Sequence, residues 1–175
     1  LYGFYQADSG EILMDGAPRI IRDSHDAIAA GIGMVHQHFM LVETFSVLEN
    51  VMLGGEGGAL LAGGTAATRK RLVTLSGDFD LDVDPDAIVS NLPVGARQRV
   101  EILKALVKGA RLLILDEPTG VLTPAETERL FEILATLRAQ GVTVVLITHK
   151  LREIMAITDT VSVMRAGEMV AHRAT

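Results

Sequence analysis

Hydrophobic positions along this chain switch repeatedly between two spacings. Short apolar runs that end on polar residues occur at 11–16 (EILMDG), 32–37 (IGMVHQ), 112–115 (LLIL) and 143–147 (TVVLI), and each predicts a β-strand. Between them lie windows with apolar residues three and four apart. The clearest runs from Gly95 to Gly109, with Val100, Leu103, Leu106 and Val107 on one side. Further helices are predicted at 24–31, with Ser24 as N-cap, and at 46–55, where Ser46 and Glu49 form a capping box. The segments 65–79, 124–140 and 150–157 also read as helices, and VSVMRAGEMVAH as two strands about an Ala-Gly turn. Strands separated by helices imply β-α-β crossovers and a mostly parallel sheet. Residues 39–108 break that rhythm and read as a helical insertion, with a Gly- and Ala-rich loop at 54–64 and an acidic, turn-rich stretch at 80–95.

Composition narrows the class. The chain has 175 residues, enough for one domain with a sizeable core. Its 16 Lys+Arg against 22 Asp+Glu leave a net charge of −6, which argues against a nucleic-acid partner. There is no cysteine, so neither a disulfide framework nor a thiolate metal site arises. The strongest apolar stretch, VTVVLIT at 142–148, is far too short to cross a bilayer, which takes about 20 residues.

Four segments carry candidate chemistry. RLLILDEPTG (111–120) drives an apolar strand into two adjacent acids, Asp116 and Glu117. Asp116 at the strand end suits Mg²⁺, held directly or through water, and Glu117 suits the polarisation of an attacking water. Read alone, the pair are also ordinary loop acids. VVLITHK (144–150) ends a second apolar strand, read as buried, in His149, on the rim where a parallel sheet presents its ligand crevice. A histidine there suits a hydrogen bond to a terminal phosphate oxygen. SNLPVGARQRVEILKAL (90–106) opens a long helix from a Gly-containing turn, whose outward N–H groups suit an anion. In GMVHQHFMLVETFSVLENV (33–51), Gln37 follows a strand at the junction with the insertion, placed to touch a metal or its water. His36 and His38 flank it, but no Cys or further nearby His completes a zinc set.

Taken in order, these segments resemble the nucleotide-binding subunit of an ATP-binding-cassette transporter. Gln37 is similar to the Q-loop, LPVGARQR to the signature motif, LLILDEPT to the Walker B strand and LITHK to the switch-histidine strand. LPVG, PTGVLTPAE and VHQHFMLVETFSVLENVMLG particularly resemble the first cassette of sugar and nucleoside importers. The resemblance implies an α/β P-loop NTPase of RecA-like type. Residues 1–38 and 109–175 would form the core, and 39–108 a helical subdomain bearing the signature. It implies Glu117 as general base, Asp116 and Gln37 at Mg²⁺, and His149 as γ-phosphate sensor. Leu92, Pro93, Val94, Gly95 and Ala96 would cap an ATP held by a second cassette in a head-to-tail pair. The implied partners are membrane permease subunits and, indirectly, a solute-binding protein, at the cytoplasmic face of the cell membrane.

Some positions depart from that pattern. No G-x-x-x-x-G-K-S/T phosphate loop occurs, and GALLAGGT (58–65) imitates it only in glycine spacing. In the family the loop precedes a segment like LYGFYQADSGEI, so the chain is expected to start just downstream of it and to bind ATP poorly by itself. Pro93 stands where many relatives have Ser, Ala96 and Arg97 replace the usual Gln or Glu and Gln, and Thr123 replaces a more typical Asp. The alternatives are a non-hydrolytic regulatory cassette and another ATPase of the same type.

Overall fold

A computed structural model describes residues 1–53 and 64–175. The loop expected at 54–64 and the glycine pattern at 58–65 fall almost wholly outside the described residues. Three parallel strands form the centre: β3 (Ile32–Val35), β4 (Leu112–Asp116) and β5 (Thr143–Ile147), in the order β3-β4-β5. Two antiparallel hairpins stand apart from it. The first joins β1 (Ile12–Met14) to β2 (Ala17–Arg19) through Asp15 and Gly16, both at positive φ, as an Asp-Gly turn requires. The second joins β6 (Thr160–Arg165) to β7 (Glu168–Ala174) through Ala166 and Gly167, also at positive φ. The parallel expectation therefore describes the three central strands, and four others pair in hairpins.

The helices are α1 (Ser24–Ala29), α2 (Val47–Met52), α3 (Gly64–Asp78), α4 (Val94–Val107), α5 (Pro124–Ala139) and α6 (Leu151–Ile157), with a 3₁₀ turn at Val89–Asn91. Asp23, not Ser24, caps α1, because its side chain accepts from the N–H groups of both His25 and Asp26. A carboxylate one residue earlier satisfies two orphan donors, so Ser24 becomes helical. At α2 the Ser46–Glu49 capping box forms in both directions.

β4 is apolar up to Asp116 because both of its faces are covered. Leu113 and Leu115 face the large core with Leu72 of α3, Leu103 of α4 and Leu134 of α5. Ile114 faces the smaller cluster with Ile21, Ala27 and Ile32. β5 differs from its sequence expectation as a buried strand. Val144 and Leu146 pack on the large core, while Val145 and Ile147 are 37% and 47% exposed on the opposite face, which no helix covers among the described residues. α4 lies close on β3 because Gly33 has no Cβ, which would meet the Cβ atoms of Ala105 and Ala110 at 2.8 and 2.9 Å.

That close approach buries a charge. Glu101 on α4 is 4% exposed and borders a cavity of about 250 Å³ with Tyr2, His36, Lys104 and Lys108. Burial pushes its carboxyl above the usual range, and Lys104, the Met40 N–H, His36 and Lys108 counter this only in part. A carboxyl that binds its proton more tightly when folded stabilises the fold at acid pH, and that contribution is lost as pH rises through the folded pKa. Glu101→Gln is therefore expected to raise the melting temperature at pH 7, with the gain vanishing toward about pH 4. Thermal melts across that range check this, and an equal gain at both ends contradicts it.

Candidate functional site

Parallel register assembles the site. Val35 pairs with Leu115 and Asp116 with Ile147, so the three strands finish together at their carboxyl ends. Just past β4 the chain turns through Glu117, which sits at φ +46 and donates its N–H to the Ile147 carbonyl at 2.9 Å. A non-glycine residue in this left-handed region costs on the order of 1 kcal/mol and clusters at functional sites. The turn aims the Glu117 side chain across the top of β5, where its Oε1 lies 2.7 Å from His149 Nδ1. Glu117 is 21% exposed and His149 79%, so the acid is sheltered and the imidazole faces outward. Asp116, half-buried at the end of β4, has no hydrogen-bond partner on its carboxylate among the described residues.

Gln37, exposed just past β3, borders a second cavity of about 280 Å³ with Phe39, Glu43, Val94, Arg97 and Val121. This cavity brings Gln37 beside the signature-like turn and the loop after β4. Arg97 builds its wall by donating to the carbonyls of Leu92 and Ser90, both at 3.0 Å, and to Glu43 Oε1 at 3.1 Å. A residue that departs from the family pattern thus ties α4 to the segment following Gln37.

The turn itself differs from a free anion site. Pro93 is the N-cap of α4, Pro93 and Val94 face outward, Leu92 packs on the core, and Gly95 and Ala96 are buried. The Gly95 N–H donates to Glu126 Oε1 at 3.0 Å, so an internal carboxylate already occupies this donor. The other oxygen of Glu126 accepts from the Thr123 N–H at 2.9 Å and its hydroxyl at 2.8 Å, forming a capping box at the start of α5. Thr123, where an Asp is typical of the family, has a structural duty as that cap. The pattern T-P-A-E before an apolar run signals the box in the sequence, but the cross-link to Gly95 spans 31 positions and has no local signal.

Similarity to known proteins agrees with this geometry. Residues 1–120 match the ABC transporter family. The chain belongs to that family. It is 44% identical over 170 residues to the nucleoside import ATP-binding protein NupA of Lactococcus lactis subsp. cremoris, across 97% of this chain and 34% of that protein. It is 42% identical over 178 residues to the ribose import ATP-binding protein RbsA of Hahella chejuensis, across 99% of this chain and 35% of that protein. The chain therefore spans about a third of the length of the curated relatives it matches. Among solved structures, a nucleotide-free ATP-binding cassette from an ABC transporter superposes with a TM-score of 0.84 at 22% identity, covering 99% of this chain and 72% of that one. The cbiO1 protein of Clostridium perfringens, part of the ABC transporter complex cbiONQ, does so at 0.80 and 27%, covering 98% and 68%. These likenesses show the P-loop NTPase fold.

Among the described residues no group of three or more His, Cys, Asp or Glu could hold a metal ion. Mg²⁺ takes only one or two carboxylates from protein and keeps water and phosphate as its other ligands. The Asp116 carboxylate, which has no partner among the described residues, could hold such an ion.

The Thr123 donors and the Gly95 N–H hold the Glu126 carboxyl below the usual range. A carboxyl lowered by folding contributes stability above its unfolded pKa and loses it as pH falls through the folded value. Glu126→Gln is expected to lower the melting temperature at pH 7, with the gap closing below about pH 4, and to speed amide exchange at Gly95. Melts and amide-exchange NMR check both, and unchanged Gly95 exchange contradicts the cross-link.

Proposed function

We propose that this chain is the nucleotide-facing part of the ATP-binding subunit of an importer for a small solute, a sugar or nucleoside, with Mg²⁺-dependent ATP hydrolysis as its chemistry. The observation that carries this reading is the 2.7 Å contact of His149 with Glu117, beside Asp116, whose carboxylate has no partner among the described residues, at the end of a buried parallel strand. The names of the relatives, which speak of nucleoside and ribose import, support the solute class.

Each residue has a role in this reading. Asp116 holds Mg²⁺ directly or through water, and Gln37 reaches the same ion or its water from the end of β3. His149 fixes Glu117 through Oε1, which leaves Oε2 to accept a proton from the attacking water. With Nδ1 turned to a carboxylate, His149 donates from Nε2 to a terminal phosphate oxygen only as the imidazolium. Bound ATP and its Mg²⁺ would supply the transferable phosphoryl group and the neutralisation of its charge. Leu92, Pro93, Val94, Gly95 and Ala96 present the turn to a nucleotide held by a second cassette, where a phosphate would compete with Glu126 for the Gly95 N–H. Residues 39–108 act as a helical subdomain that receives permease subunits at the cytoplasmic face of the membrane, with a solute-binding protein acting indirectly. No helix among the described residues is long and apolar enough to cross a membrane.

The 175 residues include no G-x-x-x-x-G-K-S/T loop, so the backbone cradle and lysine for the β- and γ-phosphates are not among them. The chain by itself is expected to bind ATP weakly and to release no measurable phosphate. In a polypeptide that carries these residues behind a complete phosphate loop, Glu117→Gln is expected to keep ATP binding while cutting turnover at least about 100-fold. Calorimetric titration with Mg-ATP and a phosphate-release assay check this. Turnover that survives the substitution removes Glu117 as the base.

A further inference from the structure

The contact between Glu117 and His149 joins two separate loops, and neither of those side chains explains what holds the loops together. A third carboxylate does so. Glu153, in the first turn of α6, is 6% exposed although its side chain ends in a carboxyl group. Its Oε1 accepts from the Thr119 hydroxyl at 2.5 Å, and its Oε2 from the Thr148 hydroxyl at 3.1 Å. Lys150 completes the cluster: its Nζ lies 3.2 Å from Glu153 Oε1 and donates to the Thr119 hydroxyl at 2.8 Å and the Thr119 carbonyl at 3.2 Å. The Thr148 hydroxyl in turn accepts from the Lys150 N–H at 3.1 Å.

The placement of these partners carries the argument. Thr119 lies two positions after Glu117, and Thr148 and Lys150 flank His149 on either side. Glu153 therefore grips one loop next to the acid and the other on both sides of the imidazole. A buried carboxylate is retained only when its lone pairs are satisfied, and here two hydroxyls and an ammonium satisfy them. Both oxygens of Glu153 are engaged by groups of the protein itself, which suits a brace and not a binding group.

We propose that Glu153 is a positioning residue that sets the reach of His149 to Glu117 by clamping Thr119 to Thr148 and Lys150. This rests on the hydrolytic reading above for its effect on turnover, but not for its effect on the loops. Partners that orient catalytic groups typically change activity 10–100-fold when removed.

Two measurements test it. In a polypeptide that hydrolyses ATP through this site, Glu153→Ala is expected to lower kcat about tenfold or more while KM for ATP stays within about twofold. Glu153→Gln, which keeps the shape and one acceptor, is expected to recover part of the loss. In a His149→Ala background the same Glu153→Ala change is expected to add nothing further, because the clamp then has no imidazole to place. A kcat that does not fall, or that falls equally in both backgrounds, overturns the proposal. Amide exchange in the 175-residue chain tests the clamp without turnover. Glu153→Ala and Thr148→Val should each speed exchange at Lys150, while exchange in β4 stays slow. Unchanged exchange at Lys150 overturns the clamp even if the wild-type site proves not to hydrolyse ATP, an outcome that would separately defeat the hydrolytic reading.

Discussion

The pairing of β4 with β3 on one edge and β5 on the other fixes everything this chain presents at its rim. Register decides which residues meet, because a one-residue slip turns every side chain to the other face. In the observed register Leu113 and Leu115 face the large core, and Ile114 faces the small one. Asp116 then falls at the last paired position, opposite Ile147, and Glu117 just beyond it. A slip would push an unpaired carboxylate into apolar surroundings, at a cost of several kcal/mol. The burial of three aliphatic side chains thus determines where two acids emerge.

The second link runs through α4. Gly33 lets this helix lie close on β3, and polar side chains along the helix then reach three other segments. Lys104 donates to the Met40 carbonyl at 3.0 Å and Lys108 to the Leu53 carbonyl at 3.1 Å. Gln98, 2% exposed, donates to the Pro118 carbonyl at 2.6 Å, immediately after Glu117. Arg97 holds Glu43, beyond Gln37. One helix therefore touches the segment after β3, the exit of β4 and, through Gly95, the start of α5. A shift of the turn at residues 92–96 would be felt at each of these points through these contacts.

Local patterns in the sequence carried most of the fold. The capping box at Ser46, the Asp15-Gly16 turn and the apolar period of α4 each depend on residues within a few positions of one another, and each is present. The position of Asp116, Glu117 and His149 at the rim follows from equally local patterns, since they lie at or just past the ends of two short apolar runs. Contacts between distant residues were not. Arg97 read as a departure from the family pattern, yet it bridges to Glu43 across 54 positions. Glu153 carries no local signal beyond its place in a helical window, yet it bonds Thr119 across 34 positions. The exposed face of β5 has no sequence signal, because an apolar run does not say how many of its faces will be covered. Serine and aspartate are both good caps, so the adjacent Asp23 and Ser24 compete for the start of α1 and only geometry chooses between them.

The account stands on the meeting of Glu117 with His149, and that meeting can be read in the 175-residue chain without any nucleotide. Long-range nitrogen–proton NMR of the imidazoles would assign the ring nitrogens of all five histidines. The account predicts that Nδ1 of His149 shows a hydrogen-bonded shift and that Glu117→Gln moves this resonance, while those of His25 and His172 stay where they are. A His149 spectrum that matches a freely solvated imidazole and ignores the substitution would contradict it.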